Sequence, residues 1–203
     1  ISRGLVGSEM CIRDSTYFSS KDGTQIPITY SYKSSIEPSS RTPVFLYGYG
    51  GYNISIRPSF TPKYVAWLEM GGVLAVANLR GGGELGKSWH DAGRLDTKQN
   101  GFDDFLYASK FLEDKSIGNR KTTVISGRSN GGLLVGATLV QNPDYFGAAL
   151  PAVGVLDMLR FTEFTEGWGW RGDYGSPLLN REDFARNIKI CLLYTSDAAD
   201  DGV

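Results

Sequence analysis

The stretch TTVISGRSNGGLLVGATL, Thr122–Leu139, constrains this chain more than any other. TTVIS is a short β-branched apolar run, which reads as a buried strand. GGLLVGATLV is a longer apolar run stopped by Asn142-Pro143, which reads as a helix. Between them stands Gly127-Arg128-Ser129-Asn130-Gly131, too short for a loop, so the backbone must reverse sharply with Ser129 at the apex. Glycine is required beside such an apex, because the turn is strained and leaves no room for side chains. A strand that feeds directly into an apolar helix also implies a sheet covered by helices.

The rest of the chain fits that architecture. TQIPITYSY (Thr24–Tyr32), PVFLYGYGG (Pro43–Gly51), VLAVANLRGGG (Val73–Gly83) and GAALPAVGV (Gly147–Val155) read as further strands. YVAWLEMGG (Tyr64–Gly72) and GFDDFLYASKFLEDK (Gly101–Lys115) read as helices. In the second helix Phe102, Phe105, Leu106, Ser109 and Leu112 share one face. Strands alternating with helices predict a parallel, doubly covered α/β sheet in one domain. Arg181–Ile190, REDFARNIKI, reads as the approach to a further strand. A net charge of −1 leaves no basic footprint for nucleic acid. No apolar run approaches the roughly 20 residues that span a bilayer, so no membrane partner is expected.

The two ends do not fit the surrounding pattern. CLLYTS, from Cys191, can be written TGT CTC TTA TAC ACA TCT. Its reverse complement, read in a shifted frame behind one G, encodes EMCIRD, which occurs at Glu9–Asp14. One DNA element in opposite orientations therefore encodes both ends, and the flanking LVGS and DAAD resemble transposase sequencing adaptors. The expectation is that 1–15 and 191–203 are adaptor-derived and that 16–190 is a partial α/β domain. Both cysteines, Cys11 and Cys191, lie in the end segments, so they carry no information on redox compartment.

Gly127–Gly131 also matches the G-x-S-x-G pattern. That pattern is weak alone, but strand before and helix after make it the nucleophile elbow of the α/β-hydrolase fold. The helix N-terminus behind Ser129 favours negative charge where an oxyanion would develop. The alternative is a phosphate-binding glycine turn.

FLYGYGGYNISIRPSF, GGVLAVANLRGGGELGKSWHDAGR, KQNGFDDF, GRSNGGLLVGA, NPDYFGAALPAVGVLDMLRF and WGWRGDYGS together resemble the catalytic domain of the prolyl oligopeptidase family. The resemblance implies an incomplete α/β-hydrolase fold, with later strands missing and a β-propeller elsewhere in the same full-length chain. It implies a serine endopeptidase acting on short proline-containing peptides, with no cofactor and no metal. By the same resemblance Ser129 is the nucleophile, and the Asn130 N–H and the Tyr49 hydroxyl are the oxyanion donors. Trp170, Tyr174, Tyr52 and Val155 match the walls of the proline pocket, although the family often has phenylalanine where Tyr52 stands. A cytoplasmic location is expected. Arg128 and GGGELG also occur in the oligopeptidase B branch, which cuts after basic residues, and that branch is the main alternative. A carboxylesterase and a non-catalytic hydrolase-fold protein share the elbow.

A catalytic serine needs a base, and the chain holds one histidine, His90. It precedes the serine, whereas α/β-hydrolases run Ser, then acid, then His. His90 is therefore expected to be structural or peripheral, and Asp157 a loop or cap residue. The acid and the base are expected beyond Ile190.

Overall fold

Tyrosine and phenylalanine alternate with aliphatic residues in Phe45-Leu46-Tyr47-Gly48, and that alternation places the two layers of the molecule. The rings of Phe45 and Tyr47 meet Tyr64, and Phe45 also meets Trp67, at 5.7–6.4 Å between centroids. Val44 and Leu46 point the other way and are fully buried. A Cβ on Gly48, on that second side, would lie 2.7 Å from Phe105 and 2.8 Å from Leu134, so the helices carrying those residues press directly on the backbone there.

The protein is seen here in a computed structural model, which describes residues 2–6 and 9–195, with side chains from 11 to 193. The strands are β1 (Ser2–Val6), β2 (Glu9–Ser19), β3 (Gln25–Lys33), β4 (Val44–Tyr47), β5 (Val73–Ala77), β6 (Thr123–Arg128) and β7 (Ala148–Ala152). The helices are α1 (Pro62–Glu69), α2 (Lys87–Asp91), α3 (Gln99–Asp114), α4 (Asn130–Gln141), α5 (Arg171–Tyr174), α6 (Arg181–Asn187) and α7 (Leu192–Thr195). One sheet holds all seven strands in the order β1-β2-β3-β5-β4-β6-β7. Helix α1 covers one face, and α3 with α4 covers the other, as right-handed crossovers on either side of β4 demand. Phe102, Phe105, Ala108, Ser109 and Leu112 of α3 are buried along one stripe, and Leu133, Leu134, Val135 and Ala137 carry the core into α4.

The α/β-hydrolase expectation holds, with one correction. The sheet is not wholly parallel: β5, β4, β6 and β7 run parallel, whereas β1, β2 and β3 add an antiparallel edge. The hairpin turn at Asp22-Gly23 joins β2 to β3, and a connection that short permits only antiparallel pairing. Nor does β2 stop at the boundary expected after Ser15. It crosses that boundary without a break, because the edge of β3 offers backbone partners to any extended segment. Residues 181–187 are helical rather than extended. Asn180 caps that helix by accepting from the N–H groups of Glu182 and Asp183. At the opposite edge β7 is largely exposed, with Leu150 half exposed.

Candidate active site

Ser129 sits between β6 and α4 with φ 57° and ψ −117°, a left-handed conformation for a residue with a Cβ. Such a conformation costs on the order of 1–3 kcal/mol and persists where the surroundings enforce it. Here the Ser129 N–H donates to the Ala152 carbonyl at 2.9 Å, tying the apex to β7. The Ser129 carbonyl accepts from the N–H groups of Gly132 and Leu133, starting α4. A Cβ on Gly127 would lie 2.2 Å from the Gly131 carbonyl oxygen, so the two arms of the turn touch backbone to backbone. The serine side chain stays exposed.

Asn130 follows as the first residue of α4, where the N–H has no partner inside the helix. Its side chain is buried and fully engaged. The Nδ2 group donates to the Tyr49 carbonyl, and Oδ1 accepts from the Tyr174 hydroxyl at 2.8 Å and from Lys98 Nζ at 2.9 Å. Lys98 Nζ also donates to the Gly50 carbonyl at 3.3 Å. A Cβ on Gly51 would lie 2.5 Å from Asn130 Nδ2, so glycine there is what lets the β4 turn close on Asn130.

Tyr49 leaves β4 on that turn, with its hydroxyl in the neighbourhood of the Ser129 side chain. Burial raises the Tyr49 pKa above the ordinary phenol value, with Asp173 and Tyr47 adding to the effect. The phenol therefore stays protonated at neutral pH, able to donate to an anion formed at Ser129.

Aromatic rings make the adjoining wall. The Tyr174 ring meets Tyr52 edge to face at 5.6 Å and Phe161 at 5.4 Å, and Trp170 stacks on Phe161 at 6.5 Å. Tyr174 is a core residue at 1% exposure, whereas Tyr52, Trp170 and Val155 are half-buried around it. Tyr52 also has positive φ, 57°, and its N–H donates to Asp173 at 2.8 Å. The Tyr52 hydroxyl is buried with no hydrogen-bond partner.

His90 is committed elsewhere: its Nε2 lies 2.9 Å from Asp173, so it joins α2 to α5. Asp157 accepts from the N–H groups of Leu159 and Arg160 and pairs with the Arg160 side chain, as a capping residue does. The structure thus brings Ser129, Asn130 and Tyr49 together, and connects Tyr174 to them through the Asn130 side chain. Sequence reasoning missed Lys98, Asp173, Phe161 and the amide of Asn130. KQNGFDDF stands out as a block, but nothing local marks its lysine as buried. Burial pulls the Lys98 pKa down to about 8, with Asp173 opposing the shift.

The sequence profile of the prolyl oligopeptidase family matches residues 58–191. The prolyl endopeptidase of Elizabethkingia meningoseptica is 47% identical over 196 residues, which cover 93% of this chain and 28% of that protein. The prolyl endopeptidase of Dictyostelium discoideum is 42% identical over 188 residues, covering 92% and 25% respectively. Among solved structures, prolyl oligopeptidase B from Galerina marginata superposes with a TM-score of 0.88 at 38% identity, over 91% of this chain and 26% of that one. The chain spans about a quarter of the length of the relatives it matches.

Proposed function

The chain belongs to the prolyl oligopeptidase family, and from that membership we propose that the whole protein is a serine endopeptidase that cleaves short peptides after proline through an acyl-enzyme on Ser129. The observation that carries the reading is Ser129 forced into a left-handed turn ahead of α4, with the turn bearing Tyr49 tied to the next residue through the Asn130 amide.

The chemistry follows from that placement. Ser129 Oγ attacks the scissile carbonyl and loses its proton to a histidine, which the order Ser, acid, His puts beyond residue 190. The carbonyl oxygen gains negative charge and takes hydrogen bonds from the Asn130 N–H and the Tyr49 hydroxyl. The leaving amine takes the proton from the histidine, and water repeats the sequence to free the acid. A proline ring offers a flat apolar face and no N–H to satisfy. Trp170 supplies a surface for it to stack on, with Tyr52, Val155 and Tyr174 excluding water. Asp173, the carboxylate behind this wall, already accepts from Tyr52 and pairs with His90, which disfavours a pocket for a basic side chain.

A β-propeller elsewhere in the chain would screen substrates by size, and further strands would extend the sheet from the exposed β7. The end segments, 1–15 and 191–203, are read as adaptor-derived from their shared DNA element, although β2 crosses the first boundary and the 93% alignment enters the ends. Long-read sequencing of the source DNA tests this: both segments inside one unbroken natural frame would refute it. No helix among the described residues is long and apolar enough to cross a membrane. The activity is tested by treating the uninterrupted gene product with a fluorophosphonate probe and a chromogenic peptide. Labelling at Ser129, turnover after proline and loss of both in Ser129→Ala are expected. An adduct elsewhere, or preferred cleavage after arginine, would overturn the assignment.

A further inference from the structure

Lys98 is the first place where the site departs from what packing alone explains. It lies just ahead of α3 and is 5% exposed. Among the described residues no carboxylate makes an ion pair with it. An ammonium buried without a paired anion is unfavourable, and an apolar side chain would fill the same space more stably.

Two of its three donors nevertheless have acceptors. One N–H meets Asn130 Oδ1 at 2.9 Å and another the Gly50 carbonyl at 3.3 Å. The ammonium also lies 5.3 Å from the centre of the Tyr174 ring, within cation–π range. Each of these partners adjoins a group assigned to the reaction. Asn130 bears the backbone donor, Gly50 follows Tyr49, and Tyr174 supports Tyr52. The amide of Asn130 closes the circuit by donating to the Tyr49 carbonyl.

We propose that Lys98 is a positioning residue, whose buried ammonium clamps Asn130 to the Tyr49–Gly50 turn and so sets the two oxyanion donors against each other. The inference rests on the proposed serine peptidase reading. A neutral amine would keep two N–H donors for these acceptors, but its bonds would lack charge assistance and the attraction to the ring face would be lost. Asp173, Tyr174 and Tyr49 are the titratable groups around this cluster. Asp173 favours the charged form of Lys98, and burial opposes it.

The test is made in the full-length peptidase, with Lys98→Met, which keeps length and removes charge, and with Ser129→Ala as control. Lys98→Met should lower kcat roughly 10- to 100-fold, short of the 10²–10³ lost when an oxyanion donor is deleted outright. KM should change less than about threefold, because the clamp serves the transition state. Wild-type kcat should fall as pH rises through about 8, and that limb should be absent in Lys98→Met. A folded Lys98→Met enzyme with kcat within about twofold of wild type would overturn the inference, as would a loss confined to KM. Should that variant not fold, Lys98→Gln takes its place, and a folded Lys98→Gln enzyme with kcat within about twofold of wild type would overturn the inference. Turnover retained in Ser129→Ala would instead remove the underlying reading.

Discussion

Truncating Asn130 to alanine separates two roles that one residue combines. The substitution leaves the backbone N–H in place and deletes only the side-chain amide. Three buried or half-buried groups then lose a partner: the Lys98 ammonium, the Tyr174 hydroxyl and the Tyr49 carbonyl. A hydrogen bond to a charged group contributes about 1.5–3 kcal/mol, and each neutral one about 1 kcal/mol. The loss should therefore be about 3–5 kcal/mol, near the upper end because Lys98 and Tyr174 are buried and water cannot readily replace the amide. For a unit of this size each kcal/mol moves Tm by roughly 2–4 °C, so Tm should fall by roughly 6–20 °C. Circular dichroism melts of wild type and Asn130→Ala give that number directly. The double variant with Lys98→Met should be less destabilised than the sum of the two, since the orphaned ammonium is then gone. A fall below about 1 kcal/mol, or strict additivity, would show that the amide does not bind these groups as described.

Tyr49→Phe in the full-length enzyme should reduce kcat by about 10²–10³ with little change in KM; steady-state kinetics check this, and an unchanged kcat returns Tyr49 to a packing role. Tyr52→Phe should raise Tm by a few degrees, because the hydroxyl it removes is buried without a partner, a defect of about 1–3 kcal/mol when complete; a lower Tm in the same melts would mean that the hydroxyl is satisfied. The depressed Lys98 pKa has a definite sign. The folded value, about 8, lies below the ordinary lysine value of 10.5, so the unfolded state binds more protons between them. Stability contributed at Lys98 is lowest below about pH 8 and rises toward pH 10.5, seen as a wild-type minus Lys98→Met difference in urea denaturation. A signed wild-type minus Lys98→Met stability that stays flat or falls over that range refutes the shift.

Local pattern was enough for most of the frame. The β-branched run before Gly127 and the apolar run after Gly131 determined β6, α4 and the serine between them, because burial of consecutive apolar residues and the glycine requirement are both nearest-neighbour properties. The same holds for β3, β4, β5, β7, α1 and α3. The antiparallel edge was not legible, because β2 has a weak pattern and takes its state from the free backbone of β3. Residues 181–187 read locally as the approach to a strand, and the cap supplied by Asn180 makes them helical. The clamp around Asn130 lay further out of reach. Lys98 and Asn130 are 32 residues apart, Asn130 and Tyr49 81, and Tyr52 and Asp173 121. A lysine or aspartate in a sequence carries no mark of burial, since it is exposed almost everywhere else. Whether its charge meets water or a carbonyl is decided only when α3 and α4 pack across the sheet and the turn after β4 closes on them.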